Sequence, residues 1–209
     1  MAATSASKPD FFQSIPRSFE NVSITDDGID TVQFLEAASG VVMLFDVLGS
    51  TAFLPVKTDL NGNIAKIRAK YDSDPAAFNT LQKIVLAEAV PDSSGKLDRT
   101  ATQGLLWLNR GLEFTAHGVS NNLKNTKAEV SDSFVIAYGN TLKQFHNFIV
   151  KGIFSLAIKA CPSREDFYKL LGSDLEEVTK RLAVWVDALQ DIVLRLNVFY
   201  SKGAYGKGL

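Results

Sequence analysis

Asp59, Asn63 and Lys66 stand at positions i, i+4 and i+7 in the stretch Thr58-Asp59-Leu60-Asn61-Gly62-Asn63-Ile64-Ala65-Lys66. On an α-helix these positions share one face and fall within roughly 60° of one another. The row offers a carboxylate that only accepts, an amide that accepts and donates, and an ammonium that only donates. Such a set can clamp a neutral polyol, with carboxylate, amide and ammonium each taking different hydroxyls. The structural alternative is plain: Thr58 or Asp59 caps the helix N-terminus and Lys66 is a solvated charge. Leu60, Ile64, Ile67 and Tyr71 make an apolar stripe beside the row, so the neighbouring face enters a core.

Three more residues stand out from their surroundings. Trp107 and Phe114 lie seven apart on one face of a helical stretch, about 180° from the stripe Leu105, Leu108, Leu112, Ala116, Val119 and Leu123. A helix with large apolar groups on opposite sides is buried on both, or one side faces a ligand cavity. The indole donor of Trp107 suits the edge of such a cavity. Arg110 lies near the same face, where it serves a head group or a surface salt bridge. His146 falls in an apolar arc with Val150, Ile153 and Ala157, and a buried imidazole needs a partner. It is a satisfied core histidine or a ligand contact. Phe148 falls in the polar arc of the same stretch, which matters if it joins an apolar patch at a membrane surface.

The elements that must position these residues are all helical. The pattern predicts helices over 31–49, from the opening stretch to about Tyr71, Pro75–Val90, Thr100 to about Leu123, and 129–140. The last runs into 141–160 without a clean break. Pro162-Ser163 starts another, and Leu175 to about Tyr200 is the last. Pro55 keeps the residues before the Asp59 helix extended. No stretch shows a period of two, and there is no internal repeat. Residues 1–25 read as a loosely ordered arm with a short anchored segment near Phe11-Phe12, and 202–209 as a coil tail. The class is all-α, about eight helices in one domain spanning 1–209.

Composition removes several functions. The net charge of −1 on 209 residues gives no broad grip on nucleic acid. Two His and one Cys, Cys161, leave no zinc-type cluster and no internal disulfide. P-loop, G-x-S-x-G and G-x-G-x-x-G patterns are absent. No cofactor or metal is expected. No apolar run approaches 18 residues and the start lacks an apolar signal region, so the expected place is the cytosol. Fourteen Phe point to a bulky interior or an apolar cleft.

Asp59-x3-Asn63-x2-Lys66, then Leu105-Leu106-Trp107-Leu108-Asn109-Arg110-Gly111-Leu112, then Phe145-His146-Asn147-Phe148-Ile149-Val150-Lys151 together resemble the glycolipid transfer protein family. The similarity runs from about Phe34 to Tyr200, and within the family it is greatest to the fungal heterokaryon-incompatibility member. The resemblance implies a two-layer helical sandwich that carries one glycosphingolipid. It implies that Asp59, Asn63 and Lys66 bind sugar hydroxyls and that Trp107 stacks on the sugar. His146 takes the ceramide amide carbonyl and Asp59 the amide N–H. Phe114, Leu142 and Phe154 line the lipid-chain tunnel. Phe148 stands where the family's membrane-dipping aromatic is often Trp, and it lacks the indole donor.

Ceramide-phosphate carriers of the superfamily have basic residues where this chain has Asn63 and Trp107. A phosphate wants Arg or Lys, whereas an amide and a flat ring suit an uncharged sugar. The reading is therefore a neutral glucosyl- or galactosylceramide, with Lys66 leaving a sulfated head open. A monomeric, non-enzymatic carrier in transient contact with membranes is expected. A glycolipid sensor acting on a protein partner is the alternative, and a glycolipid hydrolase a third reading with little support.

Overall fold

A computed structural model of the chain describes residues 10–49 and 51–209. Among the described residues lie nine α-helices and one two-stranded hairpin. The organising element is α5, Thr100–Lys124. It packs against α3 (Leu54–Ser73), α6 (Val130–Asn140) and α9 (Leu175–Gly203), and touches α2 (Thr31–Val47) and α4 (Leu81–Glu88). Leu105, Leu108 and Leu112 are fully buried, as the Leu stripe predicts. Small residues let its neighbours come close. A Cβ on Gly118 would lie 2.7 Å from the Phe134 ring of α6, and one on Gly104 would lie 3.1 Å from Lys66 Cβ of α3. The N-terminus of α5 is capped from α4: the buried Glu88 carboxylate accepts from the Ala101 and Thr102 amides at 3.2 and 2.7 Å. These bonds satisfy amides that a helix start otherwise leaves unpaired.

Several boundaries differ from the expectation, each for a local reason. Helix α3 begins at Leu54 with Pro55 in its first turn, a position where proline's missing N–H costs nothing. Pro55 is thus helical, not extended. Asp59 and Thr58 lie inside the helix, so neither is its N-cap. Helix α4 starts at Leu81, not Pro75. Thr80 caps it by accepting from Lys83 N, while 75–80 form turns held by Thr31 N to Asn79 O and by the Asp30–Thr80 bridge. The expected run through 141–160 is broken. A 3-10 turn, Leu142–Gln144, follows α6, and α7 (Phe148–Lys159) starts only after Asn147, whose side chain accepts from Ile149 N and Val150 N.

Among the described residues, both the arm from Asp10 onward and the tail are folded. Residues 1–9 and Ser50 lie outside the described residues. From Asp10 onward the arm is packed: α1 (Phe11–Ser14) is capped by Asp10, which also pairs with Arg181 of α9 at 3.1 Å. Phe11 and Phe19 meet the buried Trp185 ring edge-on, with centroids at 6.3 and 5.3 Å. Burying each such side chain stabilises by about 1.5–3 kcal/mol. Strands β1 (Ile24–Thr25) and β2 (Gly28–Ile29) then pair antiparallel. Helix α8 (Arg164–Leu171) precedes α9, with Ser163 at its N-cap. After α9 the chain turns back instead of trailing off as coil. The Tyr205 ring packs on Phe199 at 4.9 Å, and Arg99 holds the carbonyls of Tyr205 and Lys207.

Candidate functional site

A cavity of about 500 Å³ opens between α3, α5, α6 and the 141–154 segment. Asp59, Asn63, Lys66, Trp107 and His146 all border it, as do Phe114, Leu142 and Phe154. Only Phe148 among the expected site residues stands elsewhere. It is the first residue of α7 and 83% exposed, beside Ile149, which is also exposed.

The polar row on α3 is linked side chain to side chain. Asn63 Nδ2 donates to Asp59 Oδ2 at 3.3 Å, and Lys66 Nζ donates to Asn63 Oδ1 at 3.3 Å. Both are long contacts, so each group keeps hydrogen-bonding capacity toward the cavity. Asn63 is 3% exposed, while Asp59 and Lys66 open to the mouth. Burial by surrounding protein raises the Asp59 pKa above its ordinary value, opposed by Lys66, His146 and the Asn63 amide. Solvent reaches this carboxylate through the mouth, yet too little to cancel its desolvation.

Trp107 faces the row from α5. The Trp107 and His146 rings are nearly parallel, 13° apart with centroids at 6.3 Å. Arg110 lies over both Trp107 and Phe145, at 4.6 and 3.8 Å from the ring centroids. The salt bridge considered for Arg110 is not formed among the described residues; the guanidinium holds two rings at the rim by cation–π attraction.

His146 lies in the connection before α7, not in an apolar helical arc. Its Nδ1 is 3.1 Å from Tyr138 Oη, and the Tyr138 ring stacks on Phe154 at 3.6 Å. Burial lowers the His146 pKa; Asp59 pulls it upward and Lys151 downward. Tyr138, Phe145 and Gln103 also border the cavity and were not selected from spacing. Tyr138 is hidden in the sequence because its distance to His146 is set by the break at 141–147.

Away from the mouth the walls are apolar. Phe114 meets Phe154 at 6.0 Å and Phe134 at 5.3 Å, both edge-on. A further void of about 20 Å³ lies along Phe45, Val56, Phe114 and Phe154, side chains it shares with the large cavity. Cys161 borders that void, and burial pushes its thiol up to about 11. Among the described residues no group of His, Cys, Asp and Glu could hold a metal, and no helix is long and apolar enough to cross a membrane.

An apolar cavity with a hydrogen-bonding mouth has the form of a site for an amphiphile. The glycolipid transfer protein model matches residues 29–173, and the chain belongs to that family. It is 49% identical over 191 residues to a glycolipid transfer protein of Aureobasidium melanogenum, covering 91% of this chain and 92% of the relative. It is 43% identical over 203 residues to human pleckstrin homology domain-containing family A member 8, and spans 39% of that longer protein. The crystal structure of the fungal glycolipid transfer protein HET-C2 superposes with a TM-score of 0.85 at 44% identity, covering 91% of this chain and 96% of that one. The glycolipid transfer protein fold of FAPP2, described as selecting simple glycosphingolipids, matches with a TM-score of 0.82 at 35% identity, covering 95% and 97%.

Proposed function

We propose that this protein binds one neutral glycosphingolipid, a glucosyl- or galactosylceramide, and carries it between membranes without chemical change. The observation that carries this reading is the linked row Asp59-Asn63-Lys66, with Trp107 opposite, at the mouth of an apolar cavity. The carboxylate accepts from the lipid amide N–H and from hydroxyls, the amide of Asn63 takes a hydroxyl in either sense, and Lys66 donates to another. The Trp107 ring offers a flat face for a sugar. One cation at the row suits an uncharged head better than a phosphate, which calls for several.

The energetics favour a carrier. Two chains with roughly thirty methylenes between them would lose some 20 kcal/mol on entering water, at about 0.8 kcal/mol per CH₂. Desorption without help is correspondingly slow. The Phe-lined cavity offers an apolar alternative, while charge-assisted hydrogen bonds of about 1.5–3 kcal/mol each select the head. Phe148 and Ile149, exposed at the start of α7, supply a shallow apolar contact with a bilayer. Contact on this scale is reversible, as a carrier needs. The cytosol, a monomeric state and the absence of bond-breaking chemistry complete the reading.

The test is transfer of fluorescent galactosylceramide between phosphatidylcholine vesicles. Saturable, protein-dependent transfer is expected. Release of free sugar or ceramide instead, or no transfer, would sink the proposal.

A further inference from the structure

We propose that Tyr138 is a positioning residue that fixes His146 in the Nε2–H tautomer, so that the imidazole presents one donor, and no acceptor, to the amide carbonyl of the bound lipid. The ligand half of this statement rests on the carrier reading above; the tautomer half does not.

Three observations carry it. First, Tyr138 Oη lies 3.1 Å from His146 Nδ1, on the side of the ring away from Nε2. A phenolic O–H is the better donor of the two groups and an imidazole nitrogen the better acceptor, as their ordinary proton affinities show. The proton therefore sits on Oη and points to Nδ1. A neutral imidazole has one N–H, which then falls on Nε2. Second, Tyr138 cannot swing away. The residue is 5% exposed, and its ring is stacked on Phe154 at 3.6 Å with planes 11° apart and edge-on to Phe114 at 6.3 Å. The hydroxyl is thereby aimed by α6, α5 and α7 together. Third, His146 sits outside any helix, between the Leu142–Gln144 turn and the Asn147 cap, so its own backbone constrains the ring weakly. Tyr138 on one edge and the parallel Trp107 ring supply the constraint.

The imidazole is also kept neutral, which is what gives a tautomer meaning. Burial lowers its pKa; the charges that act on it are Asp59 from α3, which opposes the shift, and Lys151 from α7, which adds to it. The result is a division of labour at the lipid amide. Asp59 offers only acceptors and His146 offers only a donor, so the carbonyl and the N–H of the amide are each matched to one side. The opposite tautomer would set a bare nitrogen against the carbonyl oxygen.

The test is heteronuclear NMR of the imidazole nitrogens in the full chain at pH 7.5, paired with galactosylceramide transfer between phosphatidylcholine vesicles. The chain has two histidines, so a His117→Gln variant assigns the signals. In the parent, His146 is expected to show a protonated Nε2 and a bare Nδ1. In Tyr138→Phe, which keeps the stacked ring, the Nε2–H to Nδ1–H ratio should fall roughly three- to tenfold, the size of one net hydrogen bond. His117 should be unchanged, and transfer should slow by a similar factor. A parent spectrum with Nδ1–H overturns the proposal whether or not the variant folds. So does an unchanged ratio in Tyr138→Phe, and so does full-speed transfer despite a changed ratio. A parent that moves no glycosphingolipid counts against the carrier reading alone, because the spectrum still reports the tautomer.

Discussion

Replacing Asp59 by Asn isolates the contribution of one carboxylate. The substitution keeps the size of the side chain and an oxygen for the 3.3 Å contact from Asn63 Nδ2. It removes the charge and turns one of two acceptors into a donor facing the donors of the head group. A hydrogen bond to a charged group contributes about 1.5–3 kcal/mol, against roughly 1 kcal/mol for a neutral one. With one bond weakened and a second lost, the deficit is about 2–4 kcal/mol, or roughly 30- to 1,000-fold in affinity. Stability should move the other way. Burial holds the Asp59 pKa above its ordinary value, so the folded protein takes up this proton more readily than the unfolded chain does. The charged group therefore opposes folding at neutral pH, and the penalty is relieved as pH falls through the raised pKa toward the unfolded value near 3.9. Asp59→Asn should consequently melt at the same temperature as the parent or higher at pH 7, while transfer collapses. The parent's own glycolipid affinity should drop on acidification beginning above the usual carboxylate range, and the variant's should not. Calorimetry across pH and vesicle transfer measure both. A variant that transfers like the parent, or one that loses transfer because it melts early, would show that the Asp59 carboxylate does not hold the head group.

Other outcomes follow from neighbouring contacts. Gly104→Ala places a Cβ 3.1 Å from Lys66 Cβ and 3.3 Å from Asn63 O, so it should push α3 off α5 and weaken glycolipid binding by several-fold, measured by titration with vesicle-borne lipid. Gly118→Ala meets the Phe134 ring at 2.7 Å; overpacking of this kind costs about 1–3 kcal/mol, or roughly 2–4 °C of melting temperature per kcal/mol at this chain length. Phe148→Ala should slow transfer with little effect on thermal stability, since the side chain is 83% exposed, and Phe148→Trp should strengthen vesicle partitioning. Cys161, with its thiol pushed up to about 11, should react with aromatic disulfides only slowly at pH 8 in the native state and rapidly in denaturant.

What was legible in the sequence was periodic. The i, i+4, i+7 spacing places Asp59, Asn63 and Lys66 on one face because α3 runs unbroken through them. The seven-residue step from Trp107 to Phe114 likewise brings both to the cavity wall through α5. The segment 141–147 resisted reading because it holds no Gly or Pro and its two apolar residues, Leu142 and Phe145, keep a helical three-residue step, so periodicity shows no interruption there. Asn147, a residue type that favours N-caps, was the local signal for a new helix start. With no break expected there, the partnership of Tyr138 and His146 has no sequence signature. The packing of residues 10–25 was hidden for a different reason. Phe11 and Phe19 are buried by Trp185, more than 160 residues along the chain, and a contact of that span leaves no mark in local composition.

On this reading the mouth of the cavity discriminates an uncharged sugar from a phosphate. Competition measures this most directly: vesicles carrying equal amounts of fluorescent glucosylceramide and fluorescent ceramide phosphate are offered to the protein, and transfer of each is followed. Glucosylceramide is expected to move with ceramide phosphate left behind, and Asp59→Asn is expected to lose that preference. Faster movement of the phosphate lipid would contradict it.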